Sequence, residues 1–151
     1  VSIVRKKVLF VSIDNSLRSQ MAEAWMNHLF RDRFDARSAG LSPASSVSPY
    51  AVKVMKEIGI EISHKKPRSV FDVYKSGESF SYIITVCDQS SAEKCPVFLG
   101  LVRQIHWDFP SPAAFSGSED EIMDKIRMIR DSIRDKITAW CREISEADDF
   151  L

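Results

Sequence analysis

Apolar residues follow two rhythms along this chain. Val8 to Val11 is an unbroken apolar run, as expected of a strand covered on both faces, and Tyr82 to Val86 (YIITV) is a second. Phe34 to Ala39, stopping at Gly40, and Gln104 to Trp107 read as further extended segments. Elsewhere apolar residues recur every three or four positions, the mark of one helix face. Met21, Ala22, Trp25 and Leu29 predict a helix after Arg18. Ser48-Pro49 predicts another start, a capping hydroxyl followed by proline at the first helical position. Ala51, Val54, Met55 and Ile58 continue it, and Gly59 is its expected stop. A short helix is expected from Val70 to Tyr74, ended by Gly77. The longest pattern comes last. Ser118 and Glu121 form an S-x-x-E capping box, and Ile122, Ile126, Ile129, Ile133, Ile137, Trp140 and Ile144 follow one face.

Strands alternating with helices imply an α/β fold, an open and mostly parallel four-stranded sheet flanked by helices. In such sheets ligands lie beyond the carboxyl ends of the strands. That places Ser12 to Ser19, Cys87 onward and Asp108 onward on one rim. A length of 151 residues with 44% hydrophobic positions suits a single domain spanning 1–151. With 21 basic against 21 acidic residues, neither a general nucleic-acid binder nor a membrane-surface binder is expected. No apolar run approaches the roughly 20 residues of a membrane span, and no signal-peptide pattern opens the sequence. The first residue is Val1 rather than Met, which suggests a processed or engineered start. Three unevenly spaced cysteines make no disulfide framework, so a cytoplasmic address is the default.

The candidate chemistry lies in the loop from Ser12 to Ser19. A loop entering a helix presents unpaired N–H groups, and the helix dipole adds partial positive charge. Successive amides from Ser12, Ile13, Asp14, Asn15, Ser16, Leu17, Arg18 and Ser19 can form an anion nest. Arg18 can add a planar fork for a tetrahedral anion, and Asn15 can tie the loop to the backbone. The expected guest is phosphate or arsenate. The glycines of a Walker loop or a dinucleotide fingerprint are absent. The alternative is a plain strand-turn-helix corner whose polar residues only cap it.

S-I-D-N-S-L-R-S-Q-M-A-E-A resembles the phosphate loop of the low-molecular-weight protein tyrosine phosphatase fold. R-S-Q-M-A-E resembles, more narrowly, the thioredoxin-coupled arsenate reductases built on it. Arg37-Ser38-Ala39-Gly40, residues 51–60, Ile84 to Asp88, Lys94-Cys95-Pro96 and His106 to Phe109 follow in the same order, so the resemblance spans roughly residues 6 to 142. It implies anion clamping by Arg18, support of the nucleophile by Ser19, and a nucleophile at position 12. There a cysteine is expected and Ser12 stands. The loop offers no base to activate a hydroxyl. The resemblance also implies an aspartate as proton donor where Ser111 precedes Pro112; Asp108 is a weak substitute, more simply a surface or capping carboxylate.

Cys87 and Cys95 match the redox pair of those reductases, in a loop one residue longer than the resemblance implies. Without the surrounding match they read as two unrelated thiols. In the family one cysteine attacks the arsenic-bearing nucleophile and releases arsenite. The last closes a disulfide that thioredoxin reduces. Thiol exchange of this kind needs accessible sulfurs. Asn15, Glu23 and Ser38 match ligands of a potassium ion found in some members, but Arg68 replaces the carboxylate, so no metal site is expected. Cys141 reads as a small core residue. No cofactor is expected; the implied partners are arsenate or phosphate, and thioredoxin as reductant for a monomer. Three functions are compatible with this reading: an arsenate reductase impaired by Ser12, a phosphate-binding module without turnover, or a tyrosine phosphatase-like protein.

Overall fold

The computed structural model describes residues 5–87, 103–112 and 115–149. Within these the elements run β1 (Lys6–Ser12), α1 (Arg18–Leu29), β2 (Phe34–Gly40), α2 (Pro49–Lys56), α3 (Val70–Lys75), β3 (Tyr82–Thr85), β4 (Arg103–His106) and α4 (Glu119–Asp149). The four strands form one parallel sheet ordered β2-β1-β3-β4. From β1 the chain moves to one side for β2, then to the other for β3 and β4. The strand order thus reverses between β1 and β3, the place where ligands sit in sheets of this kind. Ser12 pairs with Gly40, Val11 with Thr85, and Thr85 with His106, so the strands end level and their carboxyl ends share one rim.

Both faces of β1 are covered, as its continuous apolar run requires. Val8 and Phe10 enter the large core with α1, α2 and α4, while Leu9 and Val11 join Ala39, Val73 and Ile83 on the face that α3 covers. Trp140 anchors the large core, with ring centroids 4.9 Å from Tyr82, 5.5 Å from Phe34 and 6.0 Å from Trp107.

In α4 the predicted stripe is the buried one. Ile126, Ile129, Ile133, Ile137 and Trp140 are buried, and Ile122 and Ile144 pack partly against the core. Each full burial contributes roughly 1.5–3 kcal/mol. The Glu121 amide donates to Ser118 Oγ at 3.2 Å, the expected cap. Cys141 is a core residue, its thiol pushed up to about 12 by burial. Arg127 and Arg130 both grip Glu57, at 2.8 and 2.9 Å, and fasten α4 to the end of α2.

Two local expectations change. Ser48 makes no side-chain cap on α2; its amide donates to the Ser16 carbonyl at 2.8 Å. The helical assignment ends at Lys56, before Gly59. Gly59 still closes the turn at φ +81°, with Gly59 N–H on the Lys56 carbonyl and Ile60 N–H on the Met55 carbonyl, both 3.0 Å. A side chain disfavours that left-handed backbone, which explains the glycine. Among the described residues no helix is long and apolar enough to cross a membrane.

Candidate functional site

Between the end of β1 and the start of α1 the chain folds into a tight loop whose carbonyls from Ser12 to Ser16 all have outside partners. Those of Ser12, Ile13, Asp14 and Ser16 accept from the amides of Leu41 (3.3 Å), Ser42 (2.8 Å), Ala44 (2.9 Å) and Ser48 (2.8 Å). The Asn15 carbonyl accepts from Gln20 Nε2 at 3.1 Å. In a trans peptide the next N–H points opposite the carbonyl. The amide edge of residues 13–17 is thus turned the other way. Beside the loop lies a cavity of about 220 Å³ lined by Ile13, Asp14, Ser16, Leu17 and Arg18, with Ser48, Tyr50, Ser111 and Pro112. Two of these amides have partners within the loop: Asn15 N–H donates to Ser12 Oγ and Ser16 N–H to Asp14 Oδ1, both at 3.1 Å.

The helix start strengthens this arrangement. Leu17, at the cap position of α1, supplies no side-chain bond, and the first turn holds no acidic residue. The positive end of the dipole is therefore left uncompensated by the helix's own sequence. Arg18 is 5% exposed, and its Nη1 donates to the Phe109 carbonyl at 3.2 Å. The guanidinium is thus held at the cavity wall rather than in solvent. From behind, Gly40 abuts the loop: a Cβ there would fall 2.9 Å from Asn15 N, Asp14 C and Ile13 O. No larger residue fits.

Inside the loop the polar side chains bond to one another. Ser12 and Ser19 hydroxyls lie 2.7 Å apart, and Asn15 Nδ2 donates to Ser19 Oγ at 2.8 Å. Asn15 also ties the loop to the backbone, as expected, accepting from the Arg68 amide at 2.9 Å. Ser12 is 1% exposed, and among the described residues no histidine, lysine or carboxylate bonds its hydroxyl. Among the described residues no general base is in place.

The remaining candidates separate. Ser111 joins the cavity wall beside Arg18. Asp108 borders a different cavity with Phe109, Phe115 and Lys125. Cys87 is fully buried just past β3, where accessibility was expected; Cys95 lies outside the described residues. Glu23, Ser38 and Arg68 line a cavity behind the loop together with Lys65, whose ammonium lies 3.4 Å from Glu23. Burial holds the Glu23 carboxyl above the usual carboxylate range against that attraction. Sequence reasoning missed Gln20, the Gly40 contact and the Phe109 carbonyl. Only Gln20 had left a trace, inside R-S-Q-M-A-E.

Residues 7–149 match the low molecular weight phosphotyrosine protein phosphatase family. The chain is 35% identical to the arsenate reductase of Halalkalibacterium halodurans over 136 residues, covering 90% of this chain and 95% of that one. It is also 35% identical to the arsenate reductase of Bacillus subtilis over 133 residues, 87% and 92% of the two chains. The crystal structure of an arsenate reductase from Archaeoglobus fulgidus superposes with TM-score 0.67 at 30% identity, covering 87% of this chain and 98% of that one. An arsenate reductase in the phosphate binding state gives 0.72 at 26%, covering 92% and 98%.

Proposed function

The chain belongs to the low molecular weight phosphotyrosine protein phosphatase family, with arsenate reductases among its relatives, and on that footing we propose that its Ser12–Ser19 loop holds arsenate or phosphate. The observation that carries this is the row of outward-tied carbonyls at residues 12–16, which turns the amide edge to the Arg18 cavity. Loop N–H donors beside a buried guanidinium suit a small oxyanion such as phosphate or arsenate.

On this reading Ser12 stands at the nucleophile position, supported by Ser19, and Ser111 at that of the proton donor. A serine hydroxyl without a base attacks poorly, so the chain as written binds its oxyanion more readily than it transforms it. With a thiol at position 12, arsenate loses one oxygen as water and forms a sulfur–arsenic bond. Cys87 then attacks that sulfur; the electron pair stays on arsenic, and arsenite leaves. Cys95 closes the Cys87–Cys95 disulfide, and thioredoxin returns it to dithiol. The protein so read is a single-domain cytoplasmic monomer.

Calorimetry with millimolar phosphate tests the first part. The unmodified chain is expected to bind, and Arg18→Ala to weaken binding about 10- to 100-fold, the value of a charged hydrogen-bonding partner. An unmodified chain that takes up no phosphate overturns the oxyanion assignment. For the second part, the Ser12→Cys protein is given arsenate, thioredoxin and its reductase. Released arsenite and a Cys87–Cys95 disulfide by mass spectrometry are expected, and their absence overturns the relay.

A further inference from the structure

We propose that Gln20, through Asn15, is the positioning residue that keeps the Ser12–Ser19 loop in its anion-binding shape; this rests on the oxyanion role assigned to that loop. Among the loop's outward carbonyls, those of Ser12, Ile13, Asp14 and Ser16 are held by main-chain amides, which no ordinary side-chain substitution removes. The Asn15 carbonyl is held by a side chain, that of Gln20.

Asn15 is also where the loop is conformationally hardest to keep. Its φ of +54° makes it the one described non-glycine residue in the left-handed region. Gln20 Nε2 donates to both oxygens of this residue, the carbonyl and Oδ1, each at 3.1 Å. Both bonds need nitrogen at that end of the amide, because Asn15 Oδ1 already accepts from Arg68 N–H and Asn15 Nδ2 already donates to Ser19. The opposite end bears the consequence. Gln20 is 2% exposed, yet among the described residues its Oε1 has no partner. A buried acceptor left unpaired opposes folding, so a glutamine kept here is kept for its two donors.

Those donors act on the site in two ways. Holding the Asn15 carbonyl outward fixes the peptide that joins Asn15 to Ser16, a residue that lines the cavity and whose N–H meets Asp14 Oδ1. Holding Oδ1 orients the Asn15 amide group, so that Nδ2 meets Ser19 and Ser19 meets Ser12. Without Gln20 the Asn15 backbone is free to relax to negative φ, and the 15–16 peptide turns with it. The effect reaches the ligand although Gln20 does not line the Arg18 cavity.

Gln20→Met keeps length and removes both donors, while Gln20→Glu regains one donor only when its carboxyl is protonated. By calorimetry Gln20→Met is expected to bind inorganic phosphate about tenfold more weakly, the value of one good hydrogen bond. Relative to the unmodified chain at each pH, Gln20→Glu is expected to match that loss at pH 8 and recover toward pH 5. A second readout needs no ligand. In a Ser12→Cys background, Gln20→Met is expected to shift the thiolate absorbance titration at position 12 to higher pH, because Asn15 and Ser19 no longer converge on the sulfur. If the unmodified chain binds no phosphate, the oxyanion assignment fails and the thiolate titration alone decides the role of Gln20. Unchanged phosphate affinity together with an unchanged titration overturns the proposal. So does a loss of affinity that tracks melting temperature across both variants with no recovery of Gln20→Glu in acid, since that marks packing alone.

Discussion

Helices α1 and α4 pack against each other and are built on opposite plans. α4 runs 31 residues, and along its described side chains one face is buried and the opposite one solvated, Met128 standing 69% exposed on it. α1 runs 12 residues, and every one from Arg18 to Met26 is buried. What α4 buries is apolar with one exception, Arg130, whereas the sheathed turns of α1 include Arg18, Ser19, Gln20 and Glu23. Burying polar groups stabilises nothing unless each finds a partner. In α1 the partners of Ser19 and Gln20 lie in the Ser12–Asn15 loop. α4 therefore contributes mainly cohesion, while α1 enters the core through Met21, Ala22, Trp25 and Met26 and also buries the polar groups that brace the loop.

That contrast can be broken most forcefully in α4. Ile137→Ala empties a fully buried position and is expected to lower unfolding free energy by about 2–5 kcal/mol in a denaturant titration. Phosphate affinity per folded molecule should stay constant; a parallel drop would show that the two helices share one task. Ser118→Ala is milder. Removing the oxygen that accepts from Glu121 N–H should lower stability by about 1 kcal/mol, again without touching binding.

The smallest effect is expected from α1 and has the opposite sign. Because burial raises the folded-state Glu23 pKa above its unfolded value near 4.5, the folded chain holds that proton more tightly than the unfolded one. Ionised Glu23 thus weakens the fold at neutral pH. The penalty fades as pH falls through the folded value and vanishes below the unfolded one. Glu23→Gln should melt at or slightly above the parent temperature at pH 7–8, with the difference closing toward pH 4. A gap that reverses at neutral pH would mean that the Lys65 attraction outweighs desolvation.

The same two plans explain what the sequence reveals. The α4 stripe, its cap and the apolar runs of β1 and β3 are repeated local patterns, and each is found where periodicity places it. Strand ends shift by a residue or two: β4 begins at Arg103 and stops before Trp107, because its limits are set by pairing with β3 rather than by its own composition. Ser48 looks like a cap but serves the loop through its amide. Of the candidate site, Arg18, Asn15 and Ser19 were marked by the sequence, and the structure brings them together at one loop. Its fixings were not marked. Gly40, Gln20 and the Phe109 carbonyl matter through contacts between distant segments, and no single-residue rule marks a main-chain oxygen 91 positions from its arginine.

The contact at Gly40 has a mechanical consequence. There is no room for even a methyl group between strand and loop, so the loop is seated directly on the end of β2. A larger residue at position 40 would push the loop off its seat against the sheet, and with it Ile13, Asp14, Ser16 and Leu17, which border the cavity.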